Sequence, residues 1–151
     1  MNLGHRIPSL RCTSVFFAIF LLSPLARADW PTFRHDAERT GYTPELLTEK
    51  LTLQWMHHSA RPQPAWPRSS RKTFDFAHQP IVAGGMVWFG SSVDGAVHAL
   101  DAESGKEMWT YIAGGRVDSA PTLWRGRLIF GCADGWVYCL RAKDGALAWR
   151  F

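Results

Sequence analysis

The side chains best suited to ligand binding in this 151-residue sequence lie in a proline-rich stretch near its middle. Trp66 stands among prolines there, surrounded by the cations Arg61, Arg68, Arg71 and Lys72. Such a cluster on a loop could grip an anionic or sugar-like ligand. The alternative is a solvated insertion that packs Trp66 on the domain beneath it, because proline-rich segments without acids form extended loops.

The histidines are the next candidates for metal or ligand binding. The cluster His35-Asp36-Ala37-Glu38 contains three metal-ligating side chains, but the polar groups of such clusters more often cap a turn. His57 and His58 are adjacent, so on a strand they point to opposite faces and cannot chelate one ion together. His78 and His98 could line a channel, although a satisfied core or surface histidine is the commoner case.

The sequence lacks the compact motifs that identify many catalytic sites. It has no nucleophile elbow, no C-x-x-C, no H-E-x-x-H, no P-loop and no G-x-G-x-x-G. We therefore assign no catalytic, cofactor-binding or metal-binding residue from the residues alone.

Residues 1–28 have the features of a secretory signal peptide. Two arginines form a positive n-region, residues 15–22 are an apolar core too short to span a bilayer comfortably, and Ala26-Arg27-Ala28 is a small-x-small cleavage site. We expect cleavage after Ala28, a mature chain that starts at Asp29, and a periplasmic or secreted protein. An uncleaved membrane anchor is the alternative.

The leader also accounts for most of the net charge. The whole sequence has 17 basic and 13 acidic residues, net +4, and three of the arginines lie in residues 1–28. The rest of the chain has a net charge of +1, so the high pI does not indicate nucleic-acid binding. We expect a soluble β domain with no nucleic-acid partner and no membrane span after cleavage.

Two cysteines, Cys132 and Cys139, remain in the mature chain, and an oxidising compartment permits a disulfide. If Asp134-Gly135 forms a two-residue turn, Phe130 faces Cys139 and Cys132 faces Val137. The cysteines then share a face but sit diagonally, about 7 Å apart or more, at or beyond disulfide reach. Two small buried hydrophobes are the favoured interpretation.

A repeat with a period of about 40 residues organises the second half of the sequence. A period of this length, rich in β-formers and turn residues, is typical of a four-stranded propeller blade. The matched landmarks are Pro80 with Pro121, Gly85 with Gly126, Gly90 with Gly131, Asp94-Gly95 with Asp134-Gly135, Gly105 with Gly145, and Trp109 with Trp149.

Each copy divides into short strands separated by turns. The two Asp-Gly pairs predict type I′ hairpin turns, because these turns need positive φ at both central residues. Leu51–Trp55 predicts one more strand, the last of an otherwise missing blade. The strands predicted within the repeats are residues 81–83, 86–91, 96–100 and 106–111, then 127–130, 136–140 and 147–151.

The turn before the closing tryptophan carries a family resemblance. The run from Ala99 to Trp109 resembles the A-x-D-x-x-x-G-K-E-x-W signature of the PQQ-like, or quinoprotein-type, β-propeller repeat. The second copy departs from it at Arg141, where the signature has Asp, and residues 29–42 resemble the leading segment of secreted bacterial PQQ-like proteins. The resemblance implies that the closing tryptophan docks between neighbouring blades, through a motif of Ala99, Asp101, Gly105, Trp109, Gly145 and Trp149.

The resemblance also implies a cofactor. In quinoprotein dehydrogenases PQQ is held against a tryptophan by a disulfide between adjacent cysteines, beside a calcium ion. This sequence has no adjacent cysteines, so PQQ and calcium are implied by the resemblance alone.

We predict an all-β fold: a partial β-propeller of two four-stranded antiparallel blades plus an N-terminal strand of an incomplete blade. Two blades cannot close a ring, since propellers have about four to eight. We expect the N-terminal piece of a longer secreted propeller or a truncated gene product, which alone is sticky or oligomeric. The predicted divisions are the signal peptide 1–28, the N-terminal segment and first strand 29–55, the inserted loop 56–77, the first blade 78–118 and the second blade 119–151.

These features predict a non-catalytic repeat module that serves as an extracytoplasmic binding or scaffold domain. Its partner is a protein or a surface glycan, and the remaining blades or a second copy complete the ring. The alternative is the N-terminal part of a PQQ-dependent alcohol or sugar dehydrogenase whose active site lies outside this chain. A third possibility is a gene fragment with no independent function.

Overall fold

The computed structural model describes residues 29–46, 49–58 and 79–151. It consists of two four-stranded antiparallel sheets whose strands lie in chain order, so the predicted all-β blade architecture is confirmed. No helix in these ranges is long and apolar enough to cross a membrane. Blade 1 comprises β1 (Ile81–Ala83), β2 (Met86–Gly90), β3 (Ala96–Asp101) and β4 (Glu107–Ile112); blade 2 comprises β5 (Thr122–Trp124), β6 (Arg127–Gly131), β7 (Val137–Arg141) and β8 (Leu147–Arg150).

The central strands of each blade are buried on both faces. On β3, Val97 and Leu100 point to opposite sides of the sheet, and both are almost completely inaccessible to solvent. The apolar residues on successive positions of these strands therefore have partners on either side, as stacked sheets require.

The hairpins β1–β2 and β5–β6 close with two-residue turns. Gly84 and Gly85 have φ angles of 54° and 81°, and Arg125 and Gly126 have φ angles of 46° and 72°. Two successive positive φ angles are the mark of the type I′ turn, whose twist matches that of the paired strands. Arg125 takes a conformation that costs a non-glycine residue about 1 kcal/mol.

The prediction of type I′ turns at the two Asp-Gly pairs is wrong. Gly131 pairs with Val137, so a five-residue loop joins β6 to β7, and within Asp134-Gly135 only the glycine has a positive φ, of 89°. The carboxylate of the aspartate instead accepts the backbone N–H of Trp136 at 3.1 Å. This hydrogen bond stabilises the wider loop, and Asp94 of blade 1 makes the equivalent bond at 3.2 Å.

The longer loop changes the register and separates the cysteines. Phe130 pairs with Tyr138, and Cys139 pairs with Ile129, three residues before Cys132. An odd spacing along a strand turns the two thiols to opposite faces of the sheet, so the predicted shared face is wrong. Both thiols are free, and burial raises the pKa of each above its ordinary value. A disulfide would require the backbone to move.

The main hydrophobic core lies between the two blades. Tyr138 stacks on Phe130 with ring centroids 5.4 Å apart, and Tyr111 of blade 1 meets Tyr138 edge-on at 5.9 Å. Each aromatic pair of this geometry adds about 0.5–1.5 kcal/mol to the stabilisation from buried area. The other buried members are Ile81, Ala83, Trp88, Val97, Ala99 and Val117 on one side, and Leu128, Leu140 and Ala142 on the other.

The N-terminal segment crosses the first strand of both blades. Trp30 forms an antiparallel bridge with Val82 of β1, and the carbonyl of Pro31 accepts the backbone N–H of Leu123 on β5 at 2.8 Å. The side-chain hydroxyls of Thr32 and Thr122 lie 2.9 Å apart. The segment therefore fastens the two blades together along the edge formed by β1 and β5.

The strand predicted over Leu51–Trp55 is wrong. Residues 49–58 belong to no strand, and the side chains of Leu51 and Leu53 are more than three-quarters exposed. A strand needs a hydrogen-bonded neighbour, and this segment is paired in neither of the two sheets of the described ranges. The tryptophan that ends it nevertheless docks on blade 1, as described below.

Candidate functional site

The signature turn of blade 1 is held by its aspartate. The carboxylate of Asp101 accepts the backbone N–H of Ser104 at 2.8 Å and its hydroxyl at 2.6 Å. Gly105 then adopts a φ of 69° and donates its N–H to the carbonyl of Asp101 at 2.9 Å. The aspartate thus organises a tight turn and leaves the glycine as a flat, side-chain-free surface.

Blade 2 reaches the same turn geometry with a different acid. Arg141 stands where the signature has Asp, and its Nε donates to Asp144 at 2.7 Å. The carboxylate of Asp144 also accepts the backbone N–H of Ala146 at 3.2 Å. The hydrogen bond from Arg141 is the main reason that the pKa of Asp144 is lowered. Gly145 again has a positive φ, of 71°.

Each of these glycine turns receives a tryptophan from the preceding unit. The indole Nε1 of Trp109 donates to the carbonyl of Ala142 at 3.1 Å, and a Cβ on Gly145 would lie 2.6 Å from its ring. Trp55 repeats this one blade earlier: its Nε1 donates to the carbonyl of Ala102 at 3.0 Å, and a Cβ on Gly105 would lie 2.5 Å from its ring. The docking unit is therefore a tryptophan over a glycine turn.

The remaining residues of the predicted docking motif take two different places. Ala99 is fully buried beside β4, where it pairs with Trp109. Trp149, the counterpart of Trp109 in blade 2, has 46% of its surface exposed. Its ring thus presents an apolar surface to solvent.

The predicted ligand loop cannot be placed, because its candidate residues lie outside the described ranges. These are Arg61, Trp66, Arg68, Arg71 and Lys72, and His78 also belongs to this part of the chain.

The His35-Asp36 cluster serves a turn. The carboxylate of Asp36 accepts the backbone N–H of Thr40 at 2.9 Å and also its hydroxyl, and these hydrogen bonds lower the pKa of Asp36. Within the described ranges no three His, Cys, Asp or Glu side chains come together as a metal site. His57 lies edge-on to Phe89, with ring centroids 5.2 Å apart.

The same turn, residues 34–39, contains three left-handed residues that are not glycine. Arg34, His35 and Arg39 have φ angles of 59°, 79° and 58°. Backbone strain of this kind costs about 1–3 kcal/mol per residue and persists only where surrounding contacts impose it. Here the turn carries the guanidinium of Arg39 to 5.8 Å from the ring centre of Phe33.

A groove, which we call the rim groove, lies between this N-terminal segment and the loops that lead into β1 and β5. It has a volume of about 350 Å³. The residues that line it come from three separate stretches of chain and carry guanidinium, carboxylate, amide and hydroxyl groups and one aromatic ring. The lining residues are Thr32, Phe33, Arg39, Gln79, Asp118, Ser119, Ala120 and Thr122.

Sequence reasoning missed the rim groove, because its walls come from three stretches, 32–39, 79 and 118–122, that are distant from one another in the chain. The one local signal was the polar turn around His35-Asp36. That turn was interpreted only as a capped turn or a metal cluster.

The rim groove does not by itself fit the calcium ion that accompanies PQQ in the resemblance. Calcium takes about six to eight oxygen ligands, whereas the one carboxylate of the rim groove, Asp118, lies 3.9 Å from the guanidinium of Arg116. We therefore assign no cofactor-binding residue in the described part of the chain.

Comparison with known proteins identifies a family. A family model described as outer membrane protein assembly factor BamB matches residues 52–151, which is more than half of the chain. The predicted PQQ-like repeat is thereby confirmed.

Individual relatives include dehydrogenases. The chain is 28% identical over 175 aligned residues to 1-butanol dehydrogenase (quinone) of Thauera butanivorans, covering 99% of this chain and 27% of that protein. It is 36% identical over 67 residues to the beta-alanine-activating enzyme of Danio rerio, covering 40% of this chain and 6% of that one. The solved structure of quinohemoprotein alcohol dehydrogenase from Comamonas testosteroni matches with a TM-score of 0.55 and 25% identity, covering 82% of this chain and 19% of that one. The chain thus spans 27% or less of each of these relatives.

Proposed function

Because the chain belongs to the PQQ-like β-propeller repeat family described as outer membrane protein assembly factor BamB, we propose that it acts as a binding scaffold. In this role the two blades form a rigid support, and the chain performs no chemical step on its partner. The partner is a protein or a surface glycan met outside the cytoplasm.

The observation that carries the proposal is the rim groove. The residues that line it come from the N-terminal segment and from the stretches that lead into β1 and β5. Backbone hydrogen bonds join the N-terminal segment to Val82 and Leu123, and Val117 of the loop before β5 donates its N–H to the carbonyl of Ser91. Arg39 and Asp118 offer planar groups that form two parallel hydrogen bonds, while Phe33 offers an apolar surface. This combination suits a ligand with many hydroxyl or amide groups, such as a glycan or a peptide loop.

The acids of the blades favour a structural role over a chemical one. Asp101, Asp134 and Asp144 each accept backbone N–H groups of their own turns. Because the charged oxygens are used in this way, they hold the turns of the blades in a fixed geometry.

The proposed location outside the cytoplasm rests on the leader sequence. Asp29, the expected first residue of the mature chain, accepts the backbone N–H of Gly84 at 3.1 Å through its carboxylate. A new terminus at this position would be tied to the first hairpin of blade 1. N-terminal sequencing of the exported protein should begin at Asp29, and an intact leader would contradict this part of the proposal.

Photocrosslinking tests the groove directly. We would place benzoylphenylalanine at Phe33 in the full-length protein, and in a control at Leu46, which is more exposed and lies outside the groove and both blades. Under ultraviolet light the Phe33 variant should give a discrete adduct, and adding Arg39→Ala should reduce its yield about tenfold. Equal labelling from both positions, or none from Phe33, would refute the groove as the binding site.

The second candidate is the first portion of a quinone-dependent alcohol dehydrogenase. It is favoured by the alignment with 1-butanol dehydrogenase (quinone), which covers 99% of this chain. The test is to add PQQ with calcium to the full-length protein and to follow tryptophan fluorescence and alcohol-dependent dye reduction. Dye reduction would establish this candidate over the scaffold, and no response at saturating cofactor would remove it.

A further inference from the structure

His98 is held between two carboxylates that belong to different elements. Its Nε2 lies 2.9 Å from the carboxylate of Asp94 in the β2–β3 loop, and its Nδ1 lies 2.9 Å from the carboxylate of Glu107 on β4. Thr110 approaches the same Nδ1 at 3.2 Å. The imidazole is only 13% exposed, because it stacks on Phe89 with ring centroids 5.0 Å apart.

A neutral imidazole cannot satisfy both carboxylates. It has one N–H and one unprotonated nitrogen, so one carboxylate oxygen would face a lone pair at hydrogen-bond distance. The imidazolium has two N–H groups and donates to both oxygens, in charge-assisted hydrogen bonds. The geometry around His98 therefore matches its protonated form.

In blade 2 the position equivalent to His98 holds a tyrosine, whose side chain does not change charge near neutral pH. Tyr138 is the counterpart of His98 in the repeat: it stacks on Phe130 and donates to Asp134 at 2.6 Å, as His98 stacks and bonds in blade 1. Leu147 stands where blade 1 has Glu107, because the two residues pair with equivalent leucines of β7 and β3. The second carboxylate is thus particular to blade 1.

We propose that His98 is a pH-sensitive clamp which, when protonated, ties the β2–β3 loop to strand β4 of blade 1. The titratable groups that face it from the described elements are Asp94 of the loop, Glu107 of β4 and His57 of residues 49–58, whose ring centre is 6.2 Å away. Since His57 also contacts Phe89, the clamp sits where residues 49–58 meet blade 1.

The two carboxylates that contact His98 have lowered pKa values. The hydrogen bond from His98 is the largest cause of the lowered pKa of Glu107. Burial opposes ionisation of Asp94, but hydrogen bonds from Ser91 and His98 and the charge of His98 outweigh it, so the pKa of Asp94 is also lowered. Both acids thus remain ionised through the range near pH 6–7 in which histidines titrate.

The clamp is tested by the dependence of stability on pH in the full-length protein. The thermal midpoint of the wild type should rise by about 3 °C as the pH falls from 8 to 6. His98→Tyr, which copies blade 2, should remove this rise, and Glu107→Gln should at least halve it. His58→Gln, at an exposed neighbouring histidine, should leave it intact.

A spectroscopic measurement keeps the test independent of global unfolding. At pH 6 the ring nitrogens of His98 should both show the ¹⁵N shift of protonated imidazole nitrogen, and in Glu107→Gln the transition to that state should move to lower pH. A wild-type rise that survives in His98→Tyr, or a His98 ring that is still neutral at pH 6, would overturn the proposal.

Discussion

At the scale of single residues, positions with the same backbone conformation differ in what surrounds them. Gly126 and Gly145 have nearly the same φ, 72° and 71°. A Cβ at the first would meet open space, whereas at the second it would meet the ring of Trp109 at 2.6 Å. Only the second glycine is therefore required by a tertiary contact as well as by its own turn.

Alanine substitutions at Gly126 and Gly145 should separate the cost of the positive φ from the cost of the lost contact with Trp109. Gly126→Ala should lower the free energy of unfolding by about 1 kcal/mol, the cost of a left-handed non-glycine residue. Gly145→Ala should also displace the Trp109 indole, so we expect it to lower the free energy of unfolding by about 2–4 kcal/mol. Urea unfolding followed by circular dichroism measures both values, and equal losses would show that the indole does not rest on Gly145.

Ionisation of the Tyr138 phenol should destabilise the fold at alkaline pH. Its hydrogen bond to Asp134 raises the pKa of Tyr138 above its ordinary value of 10.0. The protonated phenol is therefore favoured by the fold, so its contribution is fully present below about pH 10 and is lost as the pH rises through the raised pKa. Tyr138→Phe should make the urea midpoint less dependent on pH between 9.5 and 11.5.

Tyr42→Phe is the matched control for this prediction. Tyr42 is 68% exposed and its hydroxyl has no hydrogen bond within the described ranges. Loss of this hydroxyl should leave the pH dependence of the urea midpoint unchanged. An equal change in both variants would rule out the hydrogen bond to Asp134 as the cause.

At the scale of elements, the blades are joined by the tryptophan that closes one sheet and the turn that belongs to the next. Trp109 lies on β4 of blade 1, and its hydrogen-bond acceptor, Ala142, lies just beyond β7 of blade 2. The N-terminal segment makes the same contact with blade 1 through Trp55. The contact recurs although residues 49–58 form no strand, so it depends on the indole and the turn and not on sheet pairing.

Trp109 should stabilise the fold through two contributions that can be measured separately, its hydrogen bond to Ala142 and the packing of its ring on Gly145. Trp109→Phe removes the bond to Ala142 and should cost about 1 kcal/mol, the net value of one hydrogen bond. Trp109→Ala also empties the space over Gly145 and should cost about 3–5 kcal/mol, enough to unfold a marginal domain. Thermal unfolding measures both, and an unchanged midpoint in Trp109→Ala would disprove the docking role.

At the scale of the whole molecule, apolar surface remains on both outer faces. Met108 and Ile112 on β4 are 56% and 75% exposed, and Leu147 and Trp149 on β8 are each 46% exposed. Neighbouring blades bury such surfaces in repeat proteins, since each unit is stabilised by contact with the next. Such faces suit contact with a further blade or with a second copy of the chain.

We expect the chain to self-associate through these faces. Ile112→Lys and Trp149→Lys should each weaken the association by about tenfold, or about 1.4 kcal/mol, by placing a charge in the contact. Leu46→Lys is the control, because Leu46 is 97% exposed but lies outside both blades. Sedimentation velocity over a range of concentrations measures the change; equal weakening by all three variants would indicate nonspecific association.

The amino-acid sequence by itself determined the repeat, the two four-stranded blades and the positions of the glycine turns. The reason is local: β-formers alternate with residues that permit positive φ, so strand ends fall within a residue or two of the predicted ones, as at Met86–Gly90. The docking of Trp109 was predicted from a family motif whose spacing the fold preserves.

Only the tertiary structure decided which residues meet. Loop length fixed the register that separates Cys132 from Cys139, and it could not be derived from the Asp-Gly pairs because their side chains cap a wider turn. The rim groove and the clamp around His98 join segments distant in the chain or on different strands. Such sites depend on long-range packing and register, which local sequence preferences do not specify.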